Sequence, residues 1–375
     1  MAKEVTTTRK ATTSTKPRLW RSKKFRERTT RVLATVLVAI GAGIVLIPVV
    51  WMLSTSLKTR FNVVSLPPEF IPRESQRVDV NGQSLFLYDV NIDGEQRVLA
   101  AVKLDPEKSE FVDPDDPDQV YYVPADQARK HQLVRAHWEN YHEAWTFSTL
   151  PFAVLMKNTT IYALVAVFGE VLTCSLVAYG FARLRAPGKD VLFVLVLATM
   201  MLPWAVTMIP SYVLFTKYIP DFLNTLLGTK IKLADTWWPL MVPKFFGSAY
   251  LIFLVRQFYM GIPRDYDDAA RIDGCGFFQT WWRIVIPMSQ PVLTAVAILS
   301  FMYHWNDYMG PLIYLSSTER LPLSAGLANF QAAYGGTPWH LLMAASLIAV
   351  MPLVMIFFAL NRYFVQGVVI SGVKG

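Results

Sequence analysis

Cysteine is nearly absent: Cys174 and Cys275 are the only two in 375 residues. Neither falls in the one long polar segment, so no disulfide and no metal site is expected. Charge is scarce as well, at 17% Asp, Glu, Lys and Arg, where an ordinary soluble domain carries about 25%. No G-x-x-x-x-G-K-[ST] occurs. The nearest string, "APGKD" at Ala186 to Asp190, lacks the earlier Gly and the Ser or Thr, which excludes a phosphate cradle of that kind and ATP hydrolysis by that route. The apolar runs hold no repeated His set and no nucleophile with a base, so an intramembrane enzyme is disfavoured.

What is present is apolar surface. Hydrophobic residues make up 53% of the chain and mean hydropathy is +0.32. About 20 apolar residues cross a bilayer as a helix. Stretches at 33–54, 159–182, 190–215, 237–258, 289–315 and 340–363 meet that length. The first is too long for a cleaved leader and lacks an obvious small-x-small cleavage site, so it reads as a retained anchor. Pro203, Pro210 and Pro352 predict kinks within the third and sixth stretches.

Net charge is +8, with eleven Lys or Arg among residues 1–32. That Thr-rich tail reads as disordered, with its basic end near anionic lipid. Arg183, Arg185, Lys189, Arg256, Arg264, Arg271 and Arg283 fall on the same side as the tail. Six spans place both termini there, and the positive-inside rule makes that side cytoplasmic. The rule accounts for the charge without nucleic acid as a partner.

Residues 55–158 belong on the opposite face. From Phe61 to Leu150 there are sixteen Asp or Glu against eight Lys or Arg. "RVDVNGQSLFLYDVNIDGEQRVLAAVKLD" predicts a small antiparallel meander turning at Asn81-Gly82 and Asp93-Gly94, with another short strand at "VYYVP". "ADQARKHQLVRAHWENYHEAW" predicts an amphipathic helix returning to the membrane. Asp113, Asp115, Asp116 and Asp118 read as a solvated acidic turn, because Pro114 and Pro117 interrupt any calcium-loop spacing. His137 and His142, five apart, do not share a helix face as metal ligands.

The loop at 259–288 contains "DDAARIDGCG" between two apolar stretches. Pro263 suits a first helical turn, with Asp265, Asp267 and Asp268 near its positive end. Gly274 can end that helix in a left-handed conformation, and a second helix starts near Phe277. The product is a short helix, turn and helix lying along the membrane, a protruding knob.

The spacing Asp268-Ala269-Ala270, three residues, Gly274, nine residues, Ile284, one residue, then Ile286-Pro287 resembles the EAA loop of bacterial ABC-importer membrane subunits. Asp268 stands where Glu is usual, and Ile286 where Leu is usual. "NTTIYALVAVFGEVLTCSLVAYGFARL", "MMLPWAVTMIPSYVLF", "WNDYMGPLIYL" and the C-terminal stretch resemble the carbohydrate-importer branch, and within it the second permease of maltose-type transporters. The likeness covers 33–72 and 138–375, so residues 73–137 read as an insertion.

The resemblance implies a coupling helix that docks into a separate ATP-hydrolysing subunit. Asp268 would pair with a basic group there, Ala269 and Ala270 would permit close approach, and Gly274 would supply the turn. Asp273, Ile284 and Pro287 complete the motif, and the terminal "SGVKG" would lie along the ATPase. Implied partners are a second permease, two ATP-binding subunits, an extracytoplasmic solute-binding protein and a carbohydrate. ATP and Mg would be bound by the partner ATPase, with no cofactor in this chain. The resemblance also implies a bacterial inner-membrane location.

Polar residues inside the spans are costly facing lipid. Glu170 and Lys244 are expected to face the protein interior, either paired with one another or lining a transport path, or each satisfied separately. Trp204 and Tyr212 could stack on a sugar or pack between helices; Asn306 and Asp307 could bind a hydroxyl or a neighbouring helix. The expected fold is an all-α polytopic membrane protein with six transmembrane helices, a cytoplasmic coupling loop, and a small β-rich extracytoplasmic insertion between the first and second spans. Its organisation is a basic tail (1–32), a first span (33–54), an outer loop (55–158) and a five-span core (159–375). The expected function is carbohydrate import, with a peptide or polyol phosphate as the alternative cargo.

Overall fold

A computed structural model describes residues 23–369 apart from 61, 64–68, 93, 147–150 and 330–336. Most of the basic tail, and "SGVKG", lie outside the described residues. The chain divides into two units, ending at Leu53 and starting at Ser54. The first unit is dominated by α1 (Lys23–Ser56), 34 residues long with Pro48 inside it. At 1.5 Å per residue it extends about 50 Å, longer than the hydrocarbon thickness of about 30 Å.

Among the described residues the second unit opens with eight strands. They are β1 (Arg73–Ser75), β2 (Arg77–Val80), β3 (Gln83–Ile92), β4 (Glu95–Lys103), β5 (Ser109–Val112), β6 (Val120–Val123), β7 (Ala128–Lys130) and β8 (Gln132–Val134). β2 to β6 pair in sequence order, β7 joins β3, and β1 pairs with β8 in a separate ribbon. Antiparallel register puts Val80 opposite Gln83, and Asn81 and Gly82 turn with φ of 51° and 79°, the geometry of a tight two-residue hairpin. Tyr88, Val90, Leu99, Phe111 and Val123 bury one face.

The helix expected over residues 125–145 is confined to α2 (Glu139–Trp145). Its first two thirds form β7 and β8 instead, because β3 and β1 offer main-chain partners: His131 N–H donates to Leu87 O at 2.8 Å, and Tyr88 faces Lys130. α2 is held by side chains. Asn140 Nδ2 donates to Ser56 O and Lys58 O at 2.8 and 2.9 Å.

The remaining helices are α3 (Phe152–Arg183), α4 (Lys189–Ala198), α5 (Trp204–Val213), α6 (Ile219–Leu227), α7 (Trp238–Met241), α8 (Ala249–Met260), α9 (Asp265–Ile272), α10 (Phe277–Thr280), α11 (Ile286–Met288), α12 (Gln290–Trp305), α13 (Met309–Tyr314), α14 (Leu323–Asn329) and α15 (Trp339–Val369). Four stretches among the described residues are long and apolar enough to cross a membrane, or six if each of two bent pairs is one span. α3 is the central element. Near its C-terminal end Cys174, Ala178 and Tyr179 pack with Leu251, Val255 and Tyr259 of α8 and with Val292 and Val296 of α12. Towards its other end Phe152, Leu155 and Ala163 pack with Phe301 and Trp305 of α12 and Leu341 and Ala345 of α15.

Three expected spans are irregular. The stretch at 190–215 is two limbs, 189–201 and 204–227, bent by 98°. Pro203 carries no N–H and disfavours helix in the residue before it; Leu202 is extended, with φ −77° and ψ 116°. The stretch at 237–258 changes to a 3-10 turn over Val242–Phe246 and breaks at Gly247 before α8. The stretch at 289–315 begins after an 82° bend and its helix stops at Trp305. There Asp307 Oδ1 accepts the Gly310 N–H at 3.1 Å and starts α13 afresh.

Candidate functional site

The knob at 259–288 is built as helix, turn and helix. Asp265, Asp267 and Asp268 occupy the first turn of α9, where the helix dipole favours negative charge. α9 itself starts at Asp265, so Pro263 precedes the helix rather than opening it. Gly274 has φ of 77°. Its N–H reaches Arg271 O at 3.0 Å, and Cys275 N–H reaches Ala270 O at 2.8 Å, so the left-handed residue closes the helix by satisfying its last carbonyls. Gln279 Oε1 then accepts the Gly276 N–H at 3.1 Å and starts α10.

The knob rests on buried polar contacts. Trp281 is 1% exposed and its Nε1–H donates to Ser175 Oγ at 2.9 Å; Ser175 in turn meets Tyr259 OH at 3.0 Å. Arg183 Nη1 lies 3.0 Å from Asp267 Oδ2. Asp268 points outward, its ion-pair partner among the described residues being Arg271 at 3.8 Å.

The motif residues do not share one face. Asp268, Ala269, Asp273 and Pro287 are exposed, Ile284 is half-buried, and Ala270 is buried. The close approach expected of both alanines is therefore open to Ala269 alone; Ala270 packs inward. Ile272 is 88% exposed, with Phe277, Phe278 and Trp282 also exposed. The loop thus carries an exposed apolar surface made of one aliphatic side chain and three aromatics.

A second constellation lies in the helical core. Glu170 accepts a hydrogen bond from Ser300 Oγ at 2.6 Å, and His304 Nε2 is 3.2 Å from its other oxygen. Tyr162 OH donates to Asp307 Oδ2 at 2.7 Å and sits 3.4 Å from His304 Nδ1. A cavity of about 650 Å³ is lined by Tyr162, Trp204, Lys244, Tyr303, Asn306 and Asp307, among others. A second of about 650 Å³ contains Glu170, Lys244, Ser300 and Tyr303.

Lys244 and Tyr303 border both cavities, with the ammonium 5.7 Å from the tyrosine ring centroid. Among the described residues Lys244 forms no ion pair with Glu170, whose close partners are Ser300 and His304. Glu170 and Lys244 therefore border one cavity without a direct ion pair. Tyr212 is not among the cavity-lining residues but packs on Tyr314, which is, at 5.6 Å between centroids.

Sequence reading missed Tyr162, Ser300 and the role of His304: Ser300 and His304 sit on α12 and meet Tyr162 and Glu170 only when α3 packs on it. It also missed Arg183 as a partner of Asp267. The available signal was an arginine closing a long apolar helix beside a loop rich in aspartates.

Comparison with known proteins agrees with this architecture. The arabinooligosaccharides transport system permease protein AraQ of Bacillus subtilis is 34% identical over 231 residues, covering 62% of this chain and 73% of that protein. The sn-glycerol-3-phosphate transport system permease protein UgpE of Yersinia pestis bv. Antiqua is 30% identical, covering 62% of this chain and 80% of that one. The crystal structure of a bacterial ABC transporter involved in the import of the acidic polysaccharide alginate has a chain that shares the fold, with a TM-score of 0.59 at 19% identity. That likeness covers 92% of this chain and 98% of the other. Residues 171–370, over half the chain, match the family described as Binding-protein-dependent transport system inner membrane component. With the bent helix pairs, the apolar spans and these relatives in agreement, the chain belongs to that family of membrane transport components.

Proposed function

We propose that the chain is a permease subunit of an ATP-driven carbohydrate importer. It forms the translocation path with a second permease and receives motion from two ATP-binding subunits through the loop at 259–288. The observation that carries the coupling role is the exposed apolar tip, Ile272 at 88% exposure, mounted on a loop whose other side is fixed by Trp281 and Arg183. Asp268, Ala269 and Asp273 lie on the accessible side of this loop, Gly274 sets its turn, and Ile284 and Pro287 carry it into α12. ATP and Mg sit on the partner ATPase. Sugar as cargo is supported by the AraQ relatives.

In this reading both termini and the loop are cytoplasmic, residues 55–158 are extracytoplasmic, and the strands at 73–134 face a solute-binding protein or the second permease. Trp204, Asn306, Asp307 and Lys244 border the solute path, with Glu170 in the adjoining cavity and Tyr212 supporting Tyr314.

The test is ATP-dependent uptake of labelled sugar by the reconstituted complex carrying Gly274→Pro. Proline fixes φ near −65°, whereas Gly274 has +77°, so the turn cannot survive. Uptake is expected to vanish; unchanged uptake would defeat the coupling assignment.

A polyol phosphate is the second reading, favoured by one observation: the Lys244 ammonium borders both cavities while Glu170 and Asp307 are engaged by other groups. The UgpE relative is named for such a solute. Competition of uptake by glycerol phosphate but not by neutral oligosaccharides would select it.

A further inference from the structure

We propose that Arg183 is a positioning residue that ties the docking helix α9 to the ends of α3 and α8, so that displacement of α9 is passed to α3. This rests on the reading of α9 as the ATPase-docking element. Arg183 is the last residue of α3 and its side chain is only 5% exposed. Nη1 pairs with Asp267 of α9 at 3.0 Å. Nη2 donates to Tyr259 O and Ile262 O, each at 2.7 Å. Tyr259 O lies in the last turn of α8 and Ile262 O just beyond its end, where helix carbonyls lack intrahelical N–H donors and the dipole favours a cation. One planar guanidinium therefore joins three elements, which its fixed fork of donors allows and a lysine ammonium does not match.

The two faces of α9 divide the work. Inward are Asp267, 15% exposed, and buried Ala270; outward are Asp268, 67% exposed, and Ile272. The inward face grips the permease, which leaves the outward face to the partner. α3 then runs without a break from Arg183 back to Glu170, thirteen residues or about 20 Å at the helical rise. The same helix thus carries the contact to α9 at one end and the polar cluster at the cavity further along. Coupling between distant sites needs a rigid element that both ends engage, and α3 is continuous between these two.

The deciding variant is Asp267→Ala in the assembled, reconstituted complex, with sugar uptake and ATP hydrolysis measured together. Arg183 keeps both carbonyl acceptors, so the chain is expected to fold and the ATPase subunits to stay attached. Hydrolysis should persist while ATP consumed per sugar imported rises roughly tenfold. Arg183→Lys should produce the same uncoupling in weaker form.

A wild-type ratio in Asp267→Ala would overturn the proposal. Loss of ATPase attachment would also overturn it, by making Asp267 a docking contact. Ile272→Glu serves as the separate control on the docking reading. If it leaves ATPase attachment and uptake intact, the reading of α9 has failed. If it abolishes attachment while Asp267→Ala stays coupled, only the Arg183 link has failed.

Discussion

Ile272 and Glu170 show how a residue's surroundings decide its task. Ile272 loses nothing within this chain when replaced, because almost none of its surface is covered here. Ile272→Glu is accordingly expected to leave the thermal stability of the isolated subunit within about 0.5 kcal/mol of wild type, while ATPase subunits no longer co-purify. Glu170 is the opposite case. Its carboxylate is the acceptor for Ser300 Oγ and the neighbour of His304 Nε2, so Glu170→Ala strands two buried polar groups. A destabilisation of about 3 kcal/mol is expected, read as a shift in denaturant midpoint for the detergent-solubilised protein. That Glu170 and Lys244 face inward was legible from the cost of charge in lipid. Which group Glu170 meets was not, because His304 is 134 positions away and only helix packing brings it close.

Elements were legible where a residue acts on its own backbone. Pro203 marks the bend of the third apolar stretch, and Asn81-Gly82 marks a hairpin, because each constrains dihedrals locally. β7 and β8 were read as helix because their pairing with β3 and β1 joins residues far apart in the chain, as Tyr88 with Lys130 and Arg73 with Val134, and leaves no local period. The linker between α6 and α7 shows a different tie across the chain. Asp235 takes hydrogen bonds from Ser317 Oγ and from the backbone N–H groups of Ser316 and Ser317, the latter two at 2.8 and 2.9 Å. These bonds, chiefly those from Ser317, hold its carboxyl down to about 2, with Arg320 adding to the effect.

A folded-state value below the ordinary one means the stabilisation is complete above about pH 4. It is lost as pH falls toward 2. Asp235→Asn should therefore increase amide hydrogen exchange at Ser316 and Ser317 at pH 7, and the difference from wild type should shrink below pH 4. Equal exchange at neutral pH would show that the clip contributes nothing.

At the scale of the whole molecule, the strand region and the helices of the second unit meet through a narrow joint. β1 pairs with β8, placing Arg73 opposite Val134 and Ser75 opposite Gln132. Just beyond, Arg135 N–H reaches Pro72 O at 3.1 Å and His137 N–H reaches Leu57 O at 3.0 Å. Removing residues 76–131 and joining Ser75 to Gln132 through an Asn-Gly turn is expected to preserve assembly and ATPase attachment. Stimulation of hydrolysis by the loaded solute-binding protein should fall; unchanged stimulation and uptake would remove the proposed outer role.

The family likeness was legible at this scale because its motif and apolar runs follow chain order, whereas the bend angles and cavities arise from packing. The paired ends of the strand region carry a further consequence. Opposed residues of an antiparallel ribbon sit about 5 Å apart, so a segment of almost any length can be exchanged there without stretching its flanks. The same two positions should accept a fluorescent reporter as readily as they hold the native strands, giving a tag in the strand region that leaves both chain termini untouched.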